Sequence, residues 1–374
     1  MLSLCGFHID FKGILVQRKV SEFLRMNFKD GSMSVGIIWT TYHYYLGEIA
    51  SLFSNNGVAV TIYTYLESAA EAPLIEGVEF RNIRNFSPSE LLSEVLIGNH
   101  KSVVVCGWHL KPFRHLARNF NGRVVLFMDN PWKRTLKQIL GVLIFKLKWL
   151  SYYDGVVVPG YPQKRFAQYL GFKSRNIHEG FFSFLPARPL NEVVFVPRRE
   201  FIFIGRLIDW KGIAELSQAY CHYRSKVKDP WPLIICGEGP LRSIIENKPG
   251  IQMKGFLSKK ELLYELRRPR VFISCGHGEH WGISIYEAAF FCHPLILSFD
   301  AGAGSEYLRH GSNGIFIKGR DIDDIERAMI KFHNLQNSEL EMYARVSSQL
   351  SKKHDSEFFV SEVIPFIMKH GNAN

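Results

Sequence analysis

The sequence predicts an α/β protein built as two doubly wound parallel-sheet, Rossmann-like domains that face each other across a cleft. Three observations carry this. Short, continuous apolar runs alternate with helical patterns in two successive series, as strands buried on both faces do. A chain of 374 residues with 47% hydrophobic content can fill two sizeable cores. Glycine-containing turns follow the apolar runs of the second half, and open parallel sheets bind their ligands outside the carboxyl ends of the strands.

Residues 1–32 have no place in this alternation, and Met33 stands immediately before the first strand-like run, Val35–Trp39. We expect the native start at Met33, with 1–32 a translation-start artefact or a loose extension. The first series, residues 33–190, has strand candidates at Val35–Trp39, Val58–Thr64, Ser102–Cys106, Arg123–Met128 and Gly155–Pro159. Between them, Ser87, Pro88 and Glu90 supply an N-cap, a proline at N1 and a capping-box glutamate. Leu185–Leu190, with two prolines and no periodicity, reads as a linker. The second series, residues 191–354, has strands at Phe201–Ile204, Leu233–Cys236, Ile251–Lys254, Val271–Ser274, Leu295–Ser298 and Gly314–Ile317. Here Ser258 and Glu261 form another capping box, opening a helix to about Arg268. The tail, 355–374, is helical from Asp355 to Met368 and is expected to cross back to the first domain.

The net charge of +11 is concentrated: between Lys101 and Leu150, ten Lys and Arg face a single acid, Asp129. Such a surface suits nucleic acid, anionic lipid or a phosphorylated substrate. Within it, residues 132–150 mix Lys and Arg with Leu, Ile and Trp. That is the composition of an interfacial membrane element, and equally of a partly buried helix with a solvated basic end. Charge alone would also fit a non-catalytic nucleic-acid-binding protein. That reading ranks low, because no nucleic-acid motif occurs and the charge lies among apolar residues. The six cysteines show no C-x-x-C pair and no metal-like spacing. Cys106, Cys236 and Cys275 are expected as small buried hydrophobes in a reduced, cytosolic chain without structural zinc. No stretch reaches the roughly 18 apolar residues of a membrane span, and Asp10 and Lys12 interrupt any signal-peptide core.

Three motifs fall at strand ends of the second half. Gly205-Arg206 is followed five residues later by Lys211-Gly212, a pair of cations able to hold an anion, arginine as a fork and lysine as a point charge. Next, Cys236-Gly237-Glu238-Gly239 lets a ligand approach the backbone closely. Last, Glu279 and Glu287 stand eight residues apart around Trp281-Gly282 and a helix start. A helix N-terminus suits a diphosphate, whereas two carboxylates suit the hydroxyls of a sugar. Each motif alone has a plainer reading: a basic loop, a βα turn, a dipole-favoured acid with a surface glutamate. Asp321, Asp323 and Asp324 resemble a metal-binding string but read as helix-capping acids.

Taken in order, these motifs resemble the C-terminal domain of the GT-B-fold retaining glycosyltransferases of family four, or "group 1". The match runs from Gly205-Arg206 and Lys211-Gly212 through Gly237 to Pro240, Gly255 to Ser258 and Glu279 to Glu287, ending in Gly302 to Glu306 and Gly311 to Gly314. The resemblance implies that Arg206 and Lys211 hold the diphosphate of a nucleoside-diphosphate-sugar donor. Glu279 would contact the donor sugar and Glu287 the ribose, with Gly205, Gly237 and the N–H groups of Gly282 and Ile283 completing the donor site. Trp281 replaces the family's usual Phe. Gly302-Ala-Gly-Ser loosens the usual Gly-Gly before Glu306, which would otherwise be a further donor residue. On the acceptor side, Gly47 keeps one glycine of a family pair, His109 resembles a histidine near the reaction centre, and Tyr42 would line the wall.

The function implied is metal-independent, retaining transfer of one sugar to a glycan or lipid-linked acceptor, with no cofactor beyond the donor. The setting would be bacterial surface polysaccharide synthesis on the inner face of the cytoplasmic membrane, through the basic apolar region 132–150 and without nucleic acid. The alternative on the same fold is a sugar-nucleotide epimerase or a phosphorylase.

Overall fold

The computed structural model describes residues 33–66, 74–186 and 195–369. The expected extension 1–32, most of the expected linker and the 190/191 boundary lie outside the described residues.

The first domain runs β1 (Ser34–Thr41), α1 (Tyr44–Ser54), β2 (Ala59–Tyr65), β3 (Val78–Asn82), α2 (Pro88–Ile97), β4 (Ser102–Cys106), α3 (Lys111–Asn119), β5 (Arg123–Phe127), α4 (Leu136–Lys148), β6 (Gly155–Val158), α5 (Tyr161–Tyr169) and β7 (Ile177–Glu179). Its seven strands lie in the order β3-β2-β1-β4-β5-β6-β7, every neighbour parallel. The chain winds outward from β1 in one direction and then from β4 in the other. The switch between β1 and β4 therefore opens a crevice at the strands' carboxyl ends.

The second domain runs β8 (Phe201–Ile204), α6 (Ile213–Lys226), β9 (Leu233–Cys236), α7 (Arg242–Ile245), β10 (Ile251–Gly255), α8 (Lys259–Leu266), β11 (Val271–Ser274), α9 (Ile283–Phe290), β12 (Leu295–Ser298), α10 (Gly304–Tyr307), β13 (Gly314–Ile317), α11 (Ile322–His333) and α12 (Asn337–Ser351). Its six parallel strands follow the same plan, β10-β9-β8-β11-β12-β13. Both expected capping boxes form, Ser87 with Glu90 at α2 and Ser258 with Glu261 at α8. The eleven expected strands are present. Two more, β3 and β7, form the outer edges of the first sheet.

The central strands are buried on both faces. Ile37 and Val104 enter one apolar layer, Ile38 and Val105 the other. Each such side chain contributes about 1.5–3 kcal/mol relative to exposure. The tail forms α13 (Ser356–Phe358), a π-helical turn (Phe359–Val363) and α14 (Ile364–Met368). It lies against the first domain: Phe359 meets Phe53 at 5.6 Å and Phe181 at 6.1 Å, and Ser102 Oγ donates to Met368 Sδ at 3.4 Å. Among the described residues no helix is long and apolar enough to cross a membrane.

Candidate active site

The wall formed by the second domain is built from three strand ends. After β8 the chain turns through Gly205 and Arg206 into a 3-10 turn, Asp209–Lys211, and enters α6 through Gly212 at φ 73°. Arg320, arriving after β13, clamps this turn. Its guanidinium takes Asp209 in two bonds of 2.8 and 3.0 Å and Glu215 at 2.5 Å, so Arg206 and Lys211 stand on a braced loop. Next to it, Gly237 N–H donates to Gly255 O at 2.8 Å. A Cβ on Gly237 would sit 1.9 Å from Gly205 O, which ties these two glycines to one close backbone crossing. The loop after β11 tucks under the same turn, with His277 N–H donating to Trp210 O at 2.9 Å. It then reaches Glu279 and passes Gly282 at φ 91° into α9.

This packing brings the expected quartet together. Lys211 pairs directly with Glu279 through Nζ and Oε2, and Lys211 Nζ also lies 4.5 Å from the centroid of Trp210. Arg206 is exposed on the same rim. It lies close enough to first-domain His43 to lower that imidazole's pKa, burial being the larger cause. Glu287, on α9, is 4% exposed and accepts a hydrogen bond from the hydroxyl of Tyr44, the first residue of α1. Burial pushes the Glu287 carboxyl up to about 7, against the pull of Tyr44 and Lys259. Burial, followed by the charge of Glu287, raises the Tyr44 phenol in turn. The arrangement is a strip of cations beside a buried glutamate that accepts a hydrogen bond from a tyrosine of the facing domain. Ile283 and Ser284, in the first turn of α9, have no intrahelical acceptor for their N–H groups.

The remaining expected residues are distributed differently. The Glu306 carboxylate is buried and committed: it accepts from Tyr161 N–H at 3.1 Å and pairs with Lys353, so it braces the two domains. Trp281 is buried at the seam, where a Cβ on Gly160 would come within 2.5 Å of its ring. The larger ring thus fills the domain contact. Gly47 lies inside the first turn of α1, its Cα hydrogens facing the Tyr42 hydroxyl, and Tyr42 packs edge-on to Phe80 at 5.5 Å. His109 is exposed beyond β4, with its carbonyl accepting from Arg114 at 2.6 Å. Among the described residues His109 makes no hydrogen bond or ring contact across the cleft. Asp321 caps α11 through Asp324 N–H at 3.1 Å, and Asp324 accepts from Lys318 N–H at 2.6 Å. These acids therefore serve the helix start.

Three side chains missing from the sequence reading belong to this region. Arg320 is the clamp just described, and nothing in the sequence marks it. Asp129 lies two residues past β5, and its carboxylate is 4.0 Å from His280 Nδ1 across the cleft. Fully buried Gln163 on α5 donates to both Asp129 O, at 3.0 Å, and His280 O, at 2.6 Å. A carboxylate at a strand's carboxyl end was a readable signal for Asp129; Gln163 offered none.

Residues 192–349 match the family model described as "Glycosyl transferases group 1". The chain is similar to the 2-deoxystreptamine N-acetyl-D-glucosaminyltransferase of Niallia circulans, at 27% identity over 135 residues, 34% of each chain. It is also similar to the O-antigen chain mannosyltransferase C of Escherichia coli, at 29% over 143 residues, 36% of this chain and 37% of that one. These alignments span about a third of the curated relatives' length. In fold the chain resembles Anabaena Alr3699/HepE, solved with UDP and glucose, with a TM-score of 0.68 at 12% identity over 89% of this chain and 98% of that one. The architecture of two facing parallel-sheet domains is GT-B.

Proposed function

We propose, for a chain whose residues 192–349 form a domain of the glycosyl transferases group 1 family, that it is a retaining glycosyltransferase. It moves one sugar from a nucleoside diphosphate to a glycan or lipid-linked acceptor. The observation that carries this is the gathering of Arg206, Lys211, Glu279 and Glu287 at the carboxyl ends of β8 and β11, facing α1 of the other domain. In this reading Arg206 and Lys211 neutralise the diphosphate, and the N–H groups of Gly282 and Ile283 at the entrance to α9 add fixed dipoles aimed at developing negative charge. The cations take the role that a divalent ion plays elsewhere, so no metal is required. Glu279, already paired with Lys211, accepts hydroxyls of the transferred sugar, and Glu287 accepts those of the ribose. Glu306 has a bracing role in this account, and His109 and Gly47 line the acceptor side.

Retention follows when the acceptor oxygen attacks on the face that the phosphate leaves, its proton passing to the departing phosphate oxygen. A bacterial surface glycan as product is supported by the similarity to an O-antigen chain mannosyltransferase. A lipid-linked acceptor is supported by α4. Leu136, Ile139, Leu140, Leu143 and Leu147 form one outward stripe, 85% exposed at Leu136 and 75% at Leu147. Exposed Lys133, Arg134, Lys137, Lys146 and Lys148 flank that stripe. An apolar stripe turned to solvent among cations fits an anionic leaflet.

The test is turnover of UDP-, GDP-, ADP- and TDP-sugars with lipid-linked and free glycan acceptors, reading product anomers by NMR. Transfer with the donor's anomeric configuration kept is expected. Conversion of the donor sugar with no acceptor present would favour an epimerase and contradict the reading.

A further inference from the structure

Resting on that glycosyl-transfer reading, we propose that Asp129 is the first-domain carboxylate that faces the transferred sugar and stabilises positive charge at its anomeric carbon. The starting observation is a juxtaposition that donor binding does not need. Asp129 follows β5 on the first-domain wall and points across the cleft to His280, with 4.0 Å between Oδ1 and Nδ1. His280 is the immediate neighbour of Glu279, whose partner Lys211 sits on the expected diphosphate strip. One carboxylate, Asp129, therefore lies on the wall opposite another, Glu279, at the point where a sugar attached to that diphosphate would project.

The geometry is held rather than incidental. Gln163, with no exposed surface, donates one amide hydrogen bond to Asp129 O and another to His280 O, 3.0 and 2.6 Å long. It thereby locks the two backbones in register across the domain boundary. The Asp129 side chain itself remains 45% exposed, open to the cleft rather than buried behind it. Its surroundings are mixed. Burial raises its pKa, His280 acts next and in the opposite direction, and Glu279 adds a smaller upward push. Cys106 and Tyr45 are the other titratable groups facing it. An imidazolium at His280 would favour the charged carboxylate.

The step balances without a covalent intermediate. The bond from the anomeric carbon to the phosphate oxygen breaks, its electron pair leaving on the diphosphate. The acceptor oxygen bonds to that carbon, and the acceptor proton goes to the phosphate. Between these events the anomeric carbon carries partial positive charge. Asp129 forms no bond and gives no proton; it supplies fixed negative charge opposite the leaving group, an interaction stronger in the transition state than in the ground state. His280 and Gln163 act through Asp129 and are positioning residues.

The test compares wild type, D129N and D129E, using whichever UDP-, GDP-, ADP- or TDP-sugar wild type turns over fastest. D129N keeps shape and loses charge. Its kcat should fall on the order of 10²–10³-fold, with donor and acceptor KM within about threefold and the nucleotide-induced thermal shift unchanged. D129E should recover part of kcat. A D129N kcat within about threefold of wild type would overturn the proposal. So would an unchanged kcat with a raised acceptor KM, or loss of the nucleotide shift, since each assigns Asp129 a binding role only. Wild type that neither binds nor turns over any nucleotide sugar would overturn the glycosyl-transfer reading itself, and is recognised without any variant.

Discussion

Glu287 concentrates the energetics of the site in one side chain. A carboxyl buried to 4% exposure, hydrogen-bonded to one phenol and raised to about 7, holds its proton in the folded state after the unfolded chain has released it. The sign follows directly. Between the unfolded value near 4.5 and the folded value near 7 the native state binds more protons, so this residue's contribution to stability falls as pH rises, by about 1.4 kcal/mol per pH unit. Below that window the contribution is fully present. His100 and His354, lowered to about 4 mainly by burial, act in the opposite sense, so the wild-type melting curve alone mixes these effects. The difference between Glu287→Gln and wild type isolates the glutamate. The variant should gain in melting temperature relative to wild type as pH rises from 5 to 8, while losing nucleotide affinity. A difference that stays constant across that range would contradict the burial argument. That the residue proposed to hold the ribose also costs stability above this window is the trade-off expected of a functional position. The sequence showed Glu287 as half of a spaced pair; it did not show Tyr44, 243 residues away, as its partner.

At the scale of elements, what was legible depended on whether the signal was local. Central strands such as β4 and β11 are unbroken apolar runs because both faces are covered. The two strands missed are sheet edges. In β3, Val-Glu-Phe-Arg-Asn carries charge outward and buries little, and β7 has only three residues, too few for any periodicity. The side chains of the quartet were likewise readable because each sits in a short motif at its own strand end. Gln163 and Arg320 were not, because their roles arise from tertiary proximity, and Asp129 offered only a carboxylate after a strand, without the His280 contact that gives it a place in the cleft. Helix α4 shows the limit from another direction. Its composition left a buried helix and a membrane-facing one equally open; in the structure Phe145 alone is buried and the leucines point outward, which supports the membrane-facing proposal. Flotation with anionic vesicles is therefore expected for wild type and should be lost in a Leu140→Glu, Leu143→Glu double variant whose melting temperature is unchanged. Equal flotation of the two proteins would remove α4 as the docking element.

On the scale of the whole molecule, two sheets wound on the same plan present their carboxyl ends to one cleft, and a few contacts hold the walls in register. Tyr44 reaches Glu287, Gln163 joins Asp129 to His280, Glu306 binds Tyr161 and Lys353, and the tail returns from the second domain to lie on the first. Each wall alone would be an ordinary crevice. Together they set cations, a buried glutamate and two facing carboxylates on the two walls of one cleft, the arrangement proposed above to hold a nucleoside-diphosphate sugar. The most direct test of that claim is a thermal-shift titration of wild type, Arg206→Ala and Glu287→Ala with UDP-, GDP-, ADP- and TDP-sugars. At least one nucleotide sugar should stabilise wild type, and both variants should bind it about ten- to a hundredfold more weakly, the cost of losing a charge-assisted hydrogen bond. No shift of wild type with any of the four, or an undiminished shift in both variants, would contradict it.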